Sequence, residues 1–254
     1  MAETESICYL SFECSFRILS MTVPVAIVGR RGRQQAIVPK FDLVDPALDE
    51  PAERQVYRSL RRGIMSGLVS PDMVLTGRSL AQHMNLSVQP VRDALKRLEA
   101  DGIIEGRPQS GFHLPAMTAR EYWEAIEIRS RLEGLAGRLA TANATPALIA
   151  DLRKLNADMA ILDNAHDYLA ANFTFHFTIY SQAERVSLLA LIENFWVRIG
   201  PVLHHHPAQH AASVILAKHE TIIVALERND PDGVEQAIND DLVSAAHQIV
   251  KGLR

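Results

Sequence analysis

Residues 74–115, VLTGRSLAQHMNLSVQPVRDALKRLEADGIIEGRPQSGFHLP, decide the fold of the N-terminal part of the chain. Leu80, Ala81 and Met84 form a short apolar stripe, which Asn85 interrupts. Ser87 stands where a second helix would be capped, with Val91, Ala94, Leu95 and Leu98 on its inward face. Pro90 falls in the first turn of that helix, where its missing N–H costs little. Outward at its start are Ser87, Val88, Gln89 and Arg92, with Lys96 a turn further on. These are the positions from which a recognition helix reads the major groove. Two short strands, 103–107 and 111–114, follow as a β-hairpin wing around Pro108, Gln109 and Ser110. Upstream, Val56, Leu60 and Ile64 recur at helical spacing, which predicts a third helix over 54–67 that roofs the small core and ends at Gly67.

The charge distribution fits a nucleic-acid partner for this segment alone. Residues 52–115 carry nine Lys and Arg against six Asp and Glu, although the 254-residue chain has a net charge of −4. Both flanks are acidic, with five against seven over 1–51 and twelve against seventeen over 116–254. A local basic excess is what a DNA-docking module needs. The length leaves room for one further domain. Cys8 and Cys14 match no zinc-finger spacing and point to a reducing compartment. The apolar stretch 21–28 is too short to span a bilayer, and Glu3, Glu5 and Glu13 ahead of it are wrong for a secretory signal. Residues 1–51 therefore read as a disordered tail, with Met21 as an alternative start; a cytoplasmic location and no membrane partner are expected.

Beyond Pro115 strand signals disappear. Six helices are expected, near 119–141, 146–162, 167–182, 186–203, 211–228 and 232–253, with Thr118, Thr145-Pro146 and Asp230-Pro231 as start signals. The connection holding His204, His205, His206 and Pro207 reads as a loop whose histidines, with His210, face solvent. The expected fold class is mainly α: a winged helix-turn-helix over 52–115 and an antiparallel all-α bundle of about six helices over 116–254.

Polar residues interrupt the inward faces of that bundle. In the third helix the stripe is Leu169, Asn172, Phe173, His176, Ile179 and Tyr180, so Asn172 and His176 share a face. His219 sits among Ile215, Leu216, Ile222, Ile223 and Leu226; Asp241 sits among Val234, Ile238, Leu242 and Ala245. A lone carboxylate there is costly, and an unpaired histidine carries a desolvation penalty. Either these four groups hydrogen-bond one another, or they share a divalent metal ion. Two neutral imidazoles, a carboxylate and an amide oxygen suit Zn, Ni, Mn or Fe, with positions left for water or a ligand.

The run 79–112 resembles the winged helix-turn-helix of GntR-type transcriptional regulators, through Leu80-Ala81, Ser87, Pro90-Val91-Arg92, Ala94-Leu95, Leu98, Gly102 and the wing glycine Gly111. The resemblance implies that Arg78 and Arg92 contact DNA. Arg92 suits guanine, whose O6 and N7 accept from a guanidinium; Ser87, Lys96 and Arg107 suit phosphates. The match departs at Val88, where many relatives carry an arginine; valine can meet a thymine methyl but supplies no charge. The C-terminal region resembles the FCD ligand-binding domain of the FadR subfamily, and six helices rather than seven resemble its VanR branch. Many FCD domains hold a divalent metal through an Asp and a His four residues apart and a His on each of two later helices. Those positions are here Asn172, His176, His219 and Asp241, an exchange that keeps one carboxylate in the set. Arg129, on a stripe with Tyr122, Ala125, Leu132 and Ala136, either clamps a carboxylate effector or pairs with Glu133 four residues on.

The expected function is a dimeric, ligand-responsive DNA-binding transcription factor. It would act as a repressor that places two recognition helices on a palindromic double-stranded operator and is released by a small organic or sugar acid held at the metal. One alternative is a metal-free pocket for an acyl ligand, against which the inward polar groups argue. The other is a metalloenzyme built on the bundle. No histidine has a glutamate three residues before it, as di-iron bundles require. Nucleophile motifs and phosphate-binding glycine loops are also missing, so no enzymatic activity is expected.

Overall fold

The computed structural model describes residues 41, 43–45, 47–205 and 208–253, the side chains of 208–213 excepted. The expectations for residues 1–40, including Cys8, Cys14 and Met21, lie outside the described residues. Helix α1 (Ala52–Met65) buries Val56, Leu60 and Ile64 completely. It stops at Gly67, whose φ of +72° lets Leu68 N–H reach back to Gly63 O at 2.8 Å and Gly67 N–H to Ile64 O at 3.2 Å. That pair of bonds satisfies carbonyls the helix would otherwise orphan. Helix α2 (Gly77–His83), capped by the Thr76 hydroxyl accepting from Ser79 N–H, ends the same way at Asn85, with φ +54° and Leu86 N–H on Ala81 O. Asparagine is the non-glycine residue that tolerates this conformation best, so the residue that breaks the apolar stripe also makes the turn into α3 (Val88–Ala100).

Strands β1 (Glu105–Arg107) and β2 (Gly111–His113) pair antiparallel, with Glu105 opposite His113 and Arg107 opposite Gly111. Leu75 adds a bridge to Phe112 through two 2.9 Å backbone bonds, and Gly106 N–H donates to Glu99 Oε1 at 2.9 Å, so the wing is tied to the segment that leads into α2 and to α3. Leu80, Leu95, Leu98 and Ile104 close the core beneath α1. The residues just before α1, read from sequence as the end of a tail, pack on it instead. Phe41 is buried against Gly63, and Gln55 exchanges hydrogen bonds with the Asp45 backbone.

The C-terminal part holds six α-helices among the described residues: α4 (Ala119–Ala140), α5 (Pro146–Met159), α6 (Ala165–Ser181), α7 (Val186–Ile199), α8 (Ala208–Glu227) and α9 (Pro231–Ile249). Thr118 and Glu121 form a reciprocal capping box at the start of α4. Helix α4 runs along α9, where Gly134 and Gly137 bring the two backbones close. Two sequence expectations need correction here. Residues Gly200–His205 form a 3-10 helix rather than the end of α7 and a loop, and His204 is half-buried beside the backbone of Gly67 and Val69. His205 is exposed, whereas the side chains of His206 and His210 lie outside the described set. The apolar stretch Val186–His205 has the length and composition of a membrane span, but Ile192, Trp196, Val197 and Ile199 within it are buried in the bundle.

The two parts meet where α1 rests on this segment. Arg61 donates to Asn194 Oδ1 at 3.0 Å, Gly67 seats on the Leu169 side chain, and Gly200 lies directly under the Ile64 carbonyl. A Cβ at position 200 would sit 2.1 Å from that oxygen. Gly200→Ala should therefore cost about 1–3 kcal/mol through overpacking, read in a thermal melt as a Tm lower by about 2–4 °C per kcal/mol. An unchanged Tm would mean that the two parts are not tightly seated.

Candidate DNA-binding face and buried polar site

Ser87, Val88, Gln89 and Arg92 are exposed at the start of α3. Ser87 occupies the N-cap but makes no capping bond, which corrects the role expected for its hydroxyl. An N-cap oxygen accepts from the second or third helical N–H, and the third helical residue is Pro90, which has none. A cleft between α2, α3 and the wing is lined by Gly77, Arg78, Val88, Arg92, Leu95, Gln109 and Phe112. The structure thus brings Arg78, Val88 and Arg92 together. Gln109 joins them from the wing tip with φ +60°, a residue that the sequence reading placed only in the turn. Gln89 is partly engaged, its amide donating to both Asp93 oxygens at 2.9 and 3.0 Å. Lys96 and Arg107 are exposed but do not line the cleft. Gly111, φ +86°, lies under Leu75 O, where a Cβ would come within 2.9 Å.

Within the bundle, α6, α8 and α9 bring His176, His219 and Asp241 together, all buried, with their ligand atoms within 4.8 Å of one another. His176 Nε2 stands 3.4 Å from Asp241 Oδ2. Burial pushes His219 down to about 3 and holds His176 well below the usual histidine range, the latter also through the neighbouring His219 and Arg129 charges. Both imidazoles are therefore neutral at neutral pH, the form that binds metals. Burial raises Asp241 to about 7, Arg129 opposing. His219 Nε2 is buried without a hydrogen-bond partner among the described residues, which costs free energy unless something occupies that direction. Mutual hydrogen bonding of the four groups, the simpler reading from sequence, leaves this atom unexplained, whereas a divalent cation satisfies it. The donor set of two imidazole nitrogens and a carboxylate fits zinc and its neighbours.

Asn172 lines the adjoining cavity with Arg129, His176, Trp196 and Asp241. This cavity measures about 40 Å³, enough for an ion and a water or two. Arg129 both lines it and pairs with Glu133, its Nε and Nη2 donating to the two carboxylate oxygens at 2.5 and 3.1 Å. Glu133 is fully buried, and Tyr180 donates to it at 2.7 Å. Tyr180 and Asn156 belong to the site although the sequence reading did not single them out. Asn156 had a signal, since it interrupts the inward stripe Ile149, Leu152, Met159 of α5.

A basic winged module joined to a helical bundle with a polar interior defines a DNA-binding transcription regulator. Residues 52–114 match the bacterial regulatory proteins of the gntR family, and residues 124–243 match the FCD domain. The chain belongs to the GntR family, with a C-terminal FCD domain, and is a regulator rather than an enzyme. It is 31% identical over 162 residues to a Paenarthrobacter nicotinovorans protein named "Probable D-xylose utilization operon transcriptional repressor", covering 63% of this chain and 71% of that one. The HTH-type transcriptional regulator McbR of Escherichia coli K12 is 29% identical over 192 residues, covering 72% and 86% respectively. The solved structure of E. coli McbR/YncC shares the fold, with a TM-score of 0.71 at 24% identity over 80% of this chain and 98% of that one.

Proposed function

We propose that this protein is a cytoplasmic, homodimeric repressor that binds a palindromic operator and is released by a small carboxylate effector at a metal-containing pocket. The convergence of two neutral histidines on Asp241 beside a bare His219 Nε2 carries the metal reading. Asn172, His176, His219 and Asp241 would hold the ion, which when bound supplies a positive charge that attracts an acid. Without it, Arg129 is offset by Glu133 and the cavity holds one further carboxylate, Asp241, so the lining alone does not favour an anion. Six helices in the bundle support the VanR-like assignment. Arg129, Asn172, His176 and Asp241 in the lining, and the small volume, count against an acyl tunnel.

Coupling to DNA has a physical route. A cavity of about 40 Å³ is well below the roughly 300 Å³ at which organic-ligand pockets begin, so an effector must widen it. Leu169 and Leu203 are two of its walls. Leu169 is the seat of Gly67, and Leu203 lies in the 3-10 helix next to α1. Widening therefore shifts the DNA-binding module, and release follows if the effector prefers the widened state.

The test uses protein purified without a His-tag and stripped of metal. Adding Zn, Ni, Mn or Fe at about a hundredfold over Kd should stabilise it by about 2.7 kcal/mol, with a matching rise in Tm that His176→Ala abolishes. A gel-shift titration on its own upstream region should then show release by candidate acids only in the metal-loaded protein. No stoichiometric metal and no Tm shift would remove the metal from the reading; release without metal would remove it from the switch.

A further inference from the structure

Hydrogen bonds around the two buried histidines decide which nitrogen of each ring carries its proton. At His219 the argument starts from Asn156, on α5, whose Nδ2 donates to the Leu216 carbonyl at 3.0 Å. A carbonyl can only accept, so the amide orientation is set and Oδ1 faces the ring. This oxygen lies 3.2 Å from His219 Nδ1 and can itself only accept. Nδ1 therefore carries the proton and Nε2 is bare. Phe175 stacks on the same ring at 4.1 Å and 14°, fixing its plane.

His176 is set by a longer chain that begins on α4. Arg129 donates to both oxygens of Glu133, so these act here as acceptors. Tyr180 gives its single hydroxyl proton to Glu133 Oε2 at 2.7 Å. Only lone pairs remain on the phenolic oxygen for His176 Nδ1, 3.2 Å away. Nδ1 must again be the protonated nitrogen, which leaves Nε2 bare and directed at Asp241 Oδ2, 3.4 Å off. Two ligand atoms each about 2.0–2.2 Å from a tetrahedral ion stand ~3.3–3.6 Å apart, so this spacing is already that of a coordination edge.

We propose that Asn156 and the Arg129–Glu133–Tyr180 chain are positioning residues that hold His219 and His176 in the Nδ1–H tautomer, leaving both Nε2 lone pairs free to form, with Asp241, a preformed set for a divalent cation. The purpose of this arrangement rests on the metal reading above; its geometry does not. Imidazole in water favours the opposite tautomer, so the protein must impose this one. Neither group is visible in the ligand set itself, yet such outer partners orient ligands and raise their affinity.

Long-range ¹H–¹⁵N correlation spectra of the metal-free full-length protein read the tautomers directly, with His176→Gln and His219→Gln assigning the signals. Both rings should be protonated on Nδ1. Tyr180→Phe and Asn156→Leu should each raise the Nε2–H population of their own histidine and weaken Zn²⁺ binding, measured by competition with a chromophoric chelator, by about 10- to 100-fold. Asn156→Asp, which keeps an acceptor oxygen at the ring, should retain the Nδ1–H form. An Nε2–H tautomer at either histidine in the wild-type protein overturns the proposal whether or not the variants fold. Unchanged tautomers in both Tyr180→Phe and Asn156→Leu overturn it as well. Nδ1–H tautomers in a wild-type protein that takes up no zinc would support the hydrogen-bond assignment and overturn the metal reading instead.

Discussion

Arg92→Ala should abolish sequence-specific operator binding while leaving general DNA affinity largely in place. A guanidinium held bidentately on guanine discriminates by about 1–3 kcal/mol. A dimer makes the contact twice, so specific affinity should fall by about two orders of magnitude or more. Arg92 is exposed and faces the cleft with Arg78 and Val88, so its removal leaves the core of the winged module intact. Fluorescence anisotropy on the operator and on a scrambled duplex, each over a range of salt, separates the two kinds of contact. Lys96→Ala and Arg107→Ala should weaken both duplexes alike and flatten the salt dependence, as phosphate contacts do. Equal losses on both duplexes for Arg92→Ala would make it a phosphate contact too. Sequence reading would then fall to Val88 and Gln109.

Local signals in the sequence located the helices well, because caps and stops act over four or five residues. Gly67, Asn85 and Thr118 each do in the structure what their residue type suggests, and α4 to α9 fall close to the expected bounds. Where the reading failed, the deciding interaction was not the one inspected. Ser87 has the residue type of a cap and stands at the N-cap, but one of the two N–H groups its oxygen could meet is missing at Pro90 and it makes no capping bond. Residues 186–203 read as one helix because apolar periodicity continues through Gly200, yet α1 presses on that glycine and the chain tightens into a 3-10 turn. His204 looked exposed because the segment that covers it, around Gly67 and Val69, is well over a hundred residues away. The metal-ligand candidates were legible as polar breaks in apolar stripes. Their supports were not, since Tyr180 meets Glu133 across 47 residues and His219 meets Asn156 across 63. A one-dimensional stripe shows that a residue points inward but not what it meets there.

The largest effect on stability should come from Glu133→Ala, a residue that touches neither DNA nor the proposed metal. Its carboxylate lies between Arg129 and Tyr180, fully buried. Removing it strands the Arg129 guanidinium, which is 3% exposed, and takes away the acceptor of the Tyr180 hydroxyl. Breaking one half of a buried pair costs about 3–5 kcal/mol, a large share of the roughly 5–15 kcal/mol that holds a domain together. Arg129 cannot escape by losing its proton, since a guanidinium stays charged inside proteins; what remains near it is the face of Trp196, 4.8 Å away, and the Asp241 carboxyl in the shared cavity. Urea denaturation of the metal-free protein should show the loss as a lower midpoint at similar slope. The double variant Arg129→Met/Glu133→Leu separates charge from packing. With both charges gone and similar volume kept, it should recover most of that stability but still lack the acceptor that orients Tyr180 and His176. A stable double variant with weakened zinc binding would place the cost of Glu133→Ala in the stranded charge and the benefit of Glu133 in the site. If Glu133→Ala cost less than about 1 kcal/mol, water or a rearranged side chain would be meeting Arg129, and the buried Arg129–Glu133–Tyr180 chain would not be what holds this part of the bundle together.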